Sequence, residues 1–186
     1  PRVHWICAVM DEGGVAPVNF MWHLIWDYKE VLLKGLITAI NVSIWALIIS
    51  MVVGMLFALA RMSHFKIVAG FATAYVNIFR GIPALVSVIW VYFGWSLLFG
   101  KNFTVYQAGV IALTLLYSAF FSEIFRSALQ AIHKGQREAG MALGMTRIRI
   151  FRSIIMPQGL KIAIPNIGSM YIGMIKDTST FAVIGL

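Results

Sequence analysis

The stretch GLITAINVSIWALIISMVVGMLFALA, residues 35–60, contains no charged residue. Residues 81–100 and 102–122 share this property. A helix rises about 1.5 Å per residue, so about 20 apolar residues cross the hydrocarbon core of a bilayer. The three stretches therefore predict three membrane-spanning helices, at about residues 31–60, ending near residue 100, and at about residues 104–132.

The composition of the whole chain supports a membrane protein. Of its 186 residues, 60% are hydrophobic and 12% are charged, whereas soluble domains are about half apolar and a quarter charged. We expect an all-α integral membrane fold with a fourth span at about residues 157–176, although Pro165 interrupts it. Residues 1–30 are expected to form an extracytoplasmic segment, and residues 31–186 the membrane domain. The chain begins with Pro1 and stops inside an apolar run, so we expect a fragment.

The region before the second span contains a helix-breaking sequence. Residues 67–79 are uncharged and are followed by Arg80, Gly81 and Pro83. Proline disfavours helix at the preceding residue, Ile82, and glycine weakens helix further. Two alternatives remain open at this point. The second span is either preceded by an interfacial helix or broken within the membrane.

The basic residues predict the orientation in the membrane. The net charge of +8 could indicate nucleic acid, but cytoplasmic loops of membrane proteins carry excess Lys and Arg, which is the favoured interpretation. Residues 134–161 hold six basic residues and the turn between the second and third spans holds only Lys101. We therefore expect residues 134–161 in the cytoplasm, the N-terminus outside and no nucleic-acid partner.

Several chemistries have no support in the sequence. Cys7 is the single cysteine, so neither a disulfide framework nor a cysteine metal site is predicted. The four histidines show no metal-ligand spacing, and no phosphate-binding P-loop pattern occurs. No nucleophile–base pair stands out in the predicted spans. We expect neither an enzyme nor a chain that binds ATP or a metal itself.

The basic segment REAGMALGMTRIRIFRSIIMP, residues 137–157, predicts two short helices joined by a turn. Small residues leave one face of the first helix bare, and Gly144 is a natural stop. Thr146 is a plausible cap for the second helix, and Pro157 is expected to end it and open the next. The second helix is expected to line one face with Ile148, Phe151 and Ile155, and to turn its arginines elsewhere, Arg147, Arg149 and Arg152.

The spacing of this segment resembles the EAA motif of permease subunits in ATP-binding-cassette (ABC) importers. That motif reads E-A-A, three residues, G, nine residues, I, one residue, L-P. The matching positions here are Glu138, Ala139, Gly140, Gly144, Ile154, Met156 and Pro157. Gly140 replaces an alanine and Met156 a leucine.

Three further segments resemble the polar-amino-acid branch of these permeases, which covers histidine, glutamine, glutamate, arginine and opine uptake. They are FRGIP at residues 79–83, SEIFRSALQAIHKGQREA at residues 122–139, and KDTSTFAVIGL at residues 176–186. Thr180 and Ser127 depart from the leucine and glycine of that branch. The similarity covers about residues 28–186, and family members continue into a fifth span that is absent here.

The resemblance implies a type I ABC importer permease in the bacterial inner membrane. Such a permease pairs with a second permease subunit, identical or different, and docks on ATPase subunits that hold ATP and Mg. A solute-binding protein outside delivers the amino-acid substrate. Closure of the ATPases moves a cytoplasmic coupling loop, here about residues 133–157, and the helices alternate between two orientations.

The resemblance also assigns candidate residues. The coupling set is Glu138, Ala139, Gly140, Gly144, Ile154 and Pro157. Glu138 is expected in the first turn of a helix, where the helix dipole favours a carboxylate.

Charged and hydroxyl groups near the end of the fourth span suggest a substrate pathway. They are Lys176, Asp177, Thr178 and Ser179, and the alternative is that they only mark the end of that span. Arg80 either faces the pathway or anchors the chain at the interface. Glu123 and Arg126, three residues apart, are expected to form a structural ion pair.

Two other functions remain as alternatives. The chain could be an ABC permease for another solute, such as methionine, or a membrane scaffold or channel segment that needs no ATPase.

Overall fold

A computed structural model describes residues 26–100 and 103–184, and these ranges form helices without any strand. The predictions for residues 1–25, Lys101, Asn102 and the last two residues lie outside the described residues. The helices are α1 (Lys29–Arg61), α2 (Lys66–Gly81), α3 (Ala84–Phe99), α4 (Val105–Gln130), α5 (Lys134–Ala142), α6 (Arg147–Ile150) and α7 (Met156–Asp177). A 3₁₀ helix, Thr178–Ile184, follows α7.

The chain divides into two units, residues 1–34 and residues 35–186. Within the first unit, the ammonium group of Lys29 lies over the ring of Trp26, 4.9 Å from its centroid. The second unit contains the packed helices, the predicted coupling residues and the predicted pathway residues.

Two of the described helices, α1 and α4, are long and apolar enough to cross a membrane. The pair α2 and α3 meets the same criterion together, but its two halves are bent by 108°. The fourth predicted span corresponds to α7, which has Pro165 inside and is less apolar than α1 and α4. Its crossing of the membrane stays a prediction.

The bend between α2 and α3 follows from the local sequence. Ile82 has extended backbone angles (φ −94°, ψ 128°), and so has Pro83 (φ −61°, ψ 146°). The proline ring disfavours helical angles at Ile82, which is extended here, so α2 ends at Gly81 and α3 starts afresh at Ala84. The helix break that the sequence indicated is therefore present.

Small residues bring α1 and α4 into close contact. Ala46, Ser50, Gly54 and Ala58 recur every four residues on the buried face of α1. A Cβ atom at Gly54 would lie 2.7 Å from the Cβ of Phe121 and 2.9 Å from a backbone oxygen of α4. Small residues at a four-residue spacing allow helix backbones to approach in membranes.

The centre of the helical packing is α4. Its buried residues include Leu113, Leu116, Tyr117, Phe121 and Phe125. The N-terminus of α4 is a capping box, in which Thr104 accepts from the Gln107 N–H and the Gln107 side chain accepts from the Thr104 N–H. This reciprocal pair satisfies backbone donors that the helix start would leave free.

Pro157 does not end a helix, contrary to the prediction. Helical structure continues from α6 through a π-helical turn, Phe151–Ile155, into α7. In that turn the Met156 N–H donates to the carbonyl of Phe151, five residues back. Pro157 then occupies the first turn of α7, where its missing N–H costs little.

Candidate coupling site

The coupling segment forms two helices joined by a Schellman turn. His133 caps α5, because its Nδ1 accepts from the Gly135 N–H at 3.2 Å. At the other end, Gly144 takes a left-handed conformation with φ +71°. The Gly144 N–H donates to the Met141 carbonyl at 2.9 Å, and the Met145 N–H donates to the Gly140 carbonyl at 3.0 Å. This pair of bonds defines the Schellman motif, which satisfies carbonyls at a helix end.

The second arm of the segment begins with the expected cap. Thr146 Oγ1 accepts from the Arg149 N–H at 3.4 Å. We use the name coupling finger for residues 133–155, which comprise α5, the turn, α6 and the π-helical turn.

Gly140 allows α5 and α6, the two arms of the coupling finger, to pack closely against each other. It is the buried residue of α5, and a Cβ atom there would lie 2.8 Å from Cγ1 of Ile150. Ile150 is itself only 1% exposed. Glycine at this place of the motif therefore lets α5 and α6 pack more closely than alanine would.

The apolar face expected on α6 is confirmed at Ile155, which is buried, and at Phe151, which packs against the same cluster, but it is wrong at Ile148. Ile148 is 80% exposed, whereas Ile150 and Ile155 are buried. The prediction assumed a regular α-helix from Ile148 to Ile155, but α6 is one turn long and a π-helical turn follows. Contact with Gly140 thus decides which side of α6 is buried against α5. Ile148 lies on the exposed side.

Glu138 does not lie in the first turn of its helix. Because α5 begins at Lys134, its first turn has no acidic residue, and Glu138 is the fifth residue. The dipole argument for this carboxylate therefore fails. Glu138 is exposed and, among the described residues, accepts no hydrogen bond and forms no ion pair. It borders a cavity of about 370 Å³ that Met62, Gln130 and His133 also line.

The tip of the coupling finger is apolar and flanked by cations. Leu143 is 79% exposed and Met141 about half exposed, next to the exposed Ile148. The exposed arginines around it are Arg137, Arg147, Arg149 and Arg152. An exposed apolar tip rimmed by charged residues is typical of a protein-binding surface.

A cluster centred on Glu123 joins three helices near the base of the finger. Arg61, at the end of α1, places Nη1 2.6 Å from Glu123 Oε2. Arg126 forms the intrahelical pair that the sequence predicted. Arg80, at the end of α2, lies 3.8 Å from the same Oε2, with its guanidinium over the ring of Phe120.

The cluster contains a contact that sequence reasoning missed. The sequence offered no partner for Arg61, yet its side chain is the most buried of the three cations at 12% exposure. Only the packing of α1 on α4 shows that it reaches Glu123, because 62 residues separate the pair.

The predicted pathway residues lie at the end of α7 and the start of the 3₁₀ helix. Asp177 Oδ2 accepts a hydrogen bond from the Tyr117 hydroxyl at 2.9 Å. Lys176 is exposed and, within the described residues, pairs with no acidic group. The hydroxyls of Thr178 and Ser179 donate to the carbonyls of Ile175 and Lys176, at 2.6 and 2.8 Å.

Tyr117 is the second functional candidate that sequence reasoning missed. It is buried on α4 and is the described partner of Asp177. The structure thus brings Asp177 to α4, and brings Arg80 to Glu123. A buried tyrosine in a long apolar helix gives no distinctive sequence signal, since burial alone explains most of them.

The two helices of spanning length and the bent pair α2 and α3 are typical of an integral membrane protein. Residues 50–186 match the family of binding-protein-dependent transport system inner membrane components, and the chain belongs to that family. The predicted class, the permease subunit of an ABC importer, is confirmed. The match does not test the individual positions of the EAA motif.

Curated relatives and solved structures agree with this assignment. The chain is 34% identical over 170 residues to the glutamine transport system permease protein GlnP of Escherichia coli (strain K12), covering 91% of this chain and 78% of the relative. It is 32% identical over 167 residues to the probable amino-acid permease protein YxeN of Bacillus subtilis (strain 168), covering 89% of this chain and 75% of the relative.

Among solved structures, an amino acid ABC transporter crystallised with histidines matches with a TM-score of 0.82 and 33% identity, covering 94% of this chain and 78% of that one. The methionine ABC transporter MetNI in an inward-facing conformation matches with a TM-score of 0.65 and 23% identity, covering 88% of this chain and 77% of that one. The second likeness shows the fold alone.

Proposed function

We propose that the chain forms part of the membrane pathway for a polar amino acid, and that the coupling finger transmits ATP-driven motion to it. The observation that carries this proposal is the finger itself, a capped and tightly packed structure with an exposed apolar tip. The names of the relatives and of the more similar solved structure, which refer to glutamine or amino acids, support the substrate class.

The finger is suited to docking on an ATPase subunit. Leu143 and Ile148 offer apolar contact area, which stabilises an interface once it is removed from water. Glu138 has no partner among the described residues, so it is available to a basic residue across an interface. ATP and Mg then belong to the ATPase, and this chain supplies binding and motion without a cofactor of its own.

Rigidity of the finger is what would convert docking into movement of the helices. Helical structure runs from α6 through the π-helical turn into α7. A displacement of the tip therefore reaches α7 directly, as expected for alternating access by nearly rigid bodies. The remaining coupling residues, Ala139, Ile154 and Pro157, lie on α5, in the π-helical turn and at the start of α7.

The end of α7 is the proposed place of substrate contact. Lys176 and Asp177 offer the opposite charges that the carboxylate and ammonium of a zwitterion need, and charges at membrane depth usually face a cavity or partner. Thr178 and Ser179 still have hydroxyl oxygens that can accept hydrogen bonds. For Arg80 both earlier roles remain predictions, and its contacts with Glu123 and Phe120 favour anchoring.

The partners and orientation complete the proposal. The basic coupling finger faces the cytoplasm and the N-terminus lies outside, following the excess of cations in residues 134–161. A second permease subunit, identical or different, and an extracytoplasmic binding protein complete the transporter.

The direct test of coupling is uptake with variants of exposed finger residues. Glu138→Lys is expected to abolish uptake of a labelled polar amino acid while the protein stays in the membrane. Glu30→Lys, a matched charge reversal on the exposed first turn of α1, is expected to keep it. Normal uptake by Glu138→Lys would remove Glu138 from the coupling interface.

The same assay separates the alternatives. Uptake of methionine in place of polar amino acids would assign another solute. Failure to co-purify any ATPase subunit, with or without residues 140–144, would favour the scaffold or channel segment.

A further inference from the structure

A cavity of about 320 Å³ lies beside the bend between α2 and α3. Its lining side chains are aliphatic or aromatic apart from one hydroxyl group, and include Phe79, Ile82, Ser87, Trp90, Leu98 and Leu115. Trp90 and Leu98 are largely exposed on the outer face of α3. The cavity is therefore continuous with a surface that the membrane-spanning character of the chain assigns to lipid.

The one hydroxyl in the lining is unsatisfied. Ser87 is 6% exposed, and its Oγ makes no hydrogen bond within the described residues. A buried hydroxyl without a partner costs about 1–3 kcal/mol. Rotation of the Ser87 side chain towards the cavity would let a ligand with a hydrogen-bond acceptor remove this cost.

A cation lies near the same bend with donors to spare. The side chain of Arg80 is 42% exposed, and its closest carboxylate oxygen, on Glu123, is 3.8 Å away, beyond hydrogen-bond distance. Glu123 is already bonded by Arg61 and Arg126. One carboxylate thus faces three guanidinium groups, and Arg80 carries the uncompensated charge.

The cation and the cavity are arranged in depth like the parts of a phospholipid. Glu123, beside Arg80, marks the depth of the cation along α4, and Leu115 marks the depth of the cavity. The two residues are separated by about 12 Å along the helix at 1.5 Å per residue. Glu123 is the nearer of the two to the basic coupling finger. With that finger in the cytoplasm, Arg80 lies at the headgroup side and the cavity extends towards the membrane centre.

We propose that an anionic phospholipid of the inner leaflet binds at the bend between α2 and α3. Its phosphate contacts Arg80, an ester carbonyl accepts from Ser87, and an acyl chain fills the cavity between Phe79, Trp90 and Leu115. A transported zwitterion does not suit this cavity, because the apolar lining would leave both of its charges unpaired. The site is thus separate from the pathway proposed for Asp177.

The test is native mass spectrometry of the permease, purified in mild detergent with the subunits that accompany it and then stripped of lipid. The sample is titrated with equal amounts of dioleoyl phosphatidylglycerol and dioleoyl phosphatidylcholine. Both lipids carry a phosphate, but the choline cation of the neutral lipid compensates it. The wild type is therefore expected to retain the anionic lipid about tenfold more than the neutral one.

Two pairs of variants locate the binding. Arg80→Gln should lose the preference for the anionic lipid, whereas Lys66→Gln, at the other end of α2, should keep it. Ser87→Leu fills the cavity and should lose retention of the lipid, whereas Ser127→Leu, at an exposed position of α4, should not. Equal retention of both lipids by the wild type would overturn the proposal. So would an unchanged preference in Arg80→Gln, whose melting temperature is compared with that of the wild type to check that the fold is kept.

Discussion

The turn of the coupling finger requires glycine at position 144 only because of the backbone conformation there. Its φ of +71° lies in the left-handed region, and a Cβ atom there would meet nothing within 4 Å. Any effect of substitution therefore comes from conformational strain and not from a clash. An ordinary L-residue pays about 1–2 kcal/mol in this region, asparagine tolerates it better, and a β-branched residue tolerates it least.

The expected order of destabilisation is therefore Gly144→Asn, then Gly144→Ala, then Gly144→Val. If the valine variant also loses the two hydrogen bonds of the Schellman turn, each worth about 1 kcal/mol, its total local cost is about 2–4 kcal/mol. A cost of this size changes the population of the closed turn by about 30-fold or more.

Hydrogen exchange of the α5 amides measures this local opening without any assumption about substrate. Exchange should rise about 30-fold or more in Gly144→Val and only a few-fold in Gly144→Asn. Transport and binding-protein-stimulated ATP hydrolysis should fall in the same order. Gly70→Ala, at a position where a Cβ atom meets nothing within 4 Å, is the control. Equal exchange in the valine and asparagine variants would refute the strain argument, and normal transport by the valine variant would refute the need for a rigid finger.

Three further predictions concern the packing of the helices. Gly54→Ala should lower the free energy of unfolding by about 1–3 kcal/mol, since its Cβ would lie 2.9 Å from a backbone oxygen of α4. A melting temperature equal to that of the wild type would contradict this contact. Glu123→Gln should destabilise by about 2 kcal/mol, because it leaves the largely buried Arg61 without its carboxylate, and the loss should be smaller in an Arg61→Gln background. Tyr117→Phe should change the KM of uptake if Asp177 contacts substrate, because it frees the carboxylate, and a lower melting temperature with unchanged KM would assign the pair to structure alone.

The helices of the membrane domain could be predicted because apolar stretches of spanning length dominate the sequence. The expected span at residues 31–60 appears as α1, Lys29–Arg61, and the one at residues 104–132 appears as α4, Val105–Gln130. The break near Pro83 was also visible, since Gly81 and Pro83 on either side of Ile82 both weaken helix there. The bend angle of 108° could not be predicted from the sequence, because the angle depends on what α2 and α3 pack against.

The coupling finger shows where local reasoning failed. The stop at Gly144 and the cap at Thr146 were predicted from residue types that act on their own neighbours. The buried face was predicted correctly at Phe151 and Ile155 but wrongly at Ile148, because contact with Gly140 buries Ile150 instead, and such a contact leaves no periodic pattern in the sequence. The contact of Arg61 with Glu123 was missed for the same reason, since helix packing brings together distant residues.

The central claim is that the tip of the coupling finger contacts an ATPase subunit. A photo-crosslinking amino acid at Leu143, which is 79% exposed, tests this directly in membranes, with Leu97 of α3, 86% exposed, as the matched apolar control. We expect an adduct of ATPase mass from position 143 and none from position 97. Active transporter that gives no such adduct from position 143, or an equal yield from both positions, would contradict it.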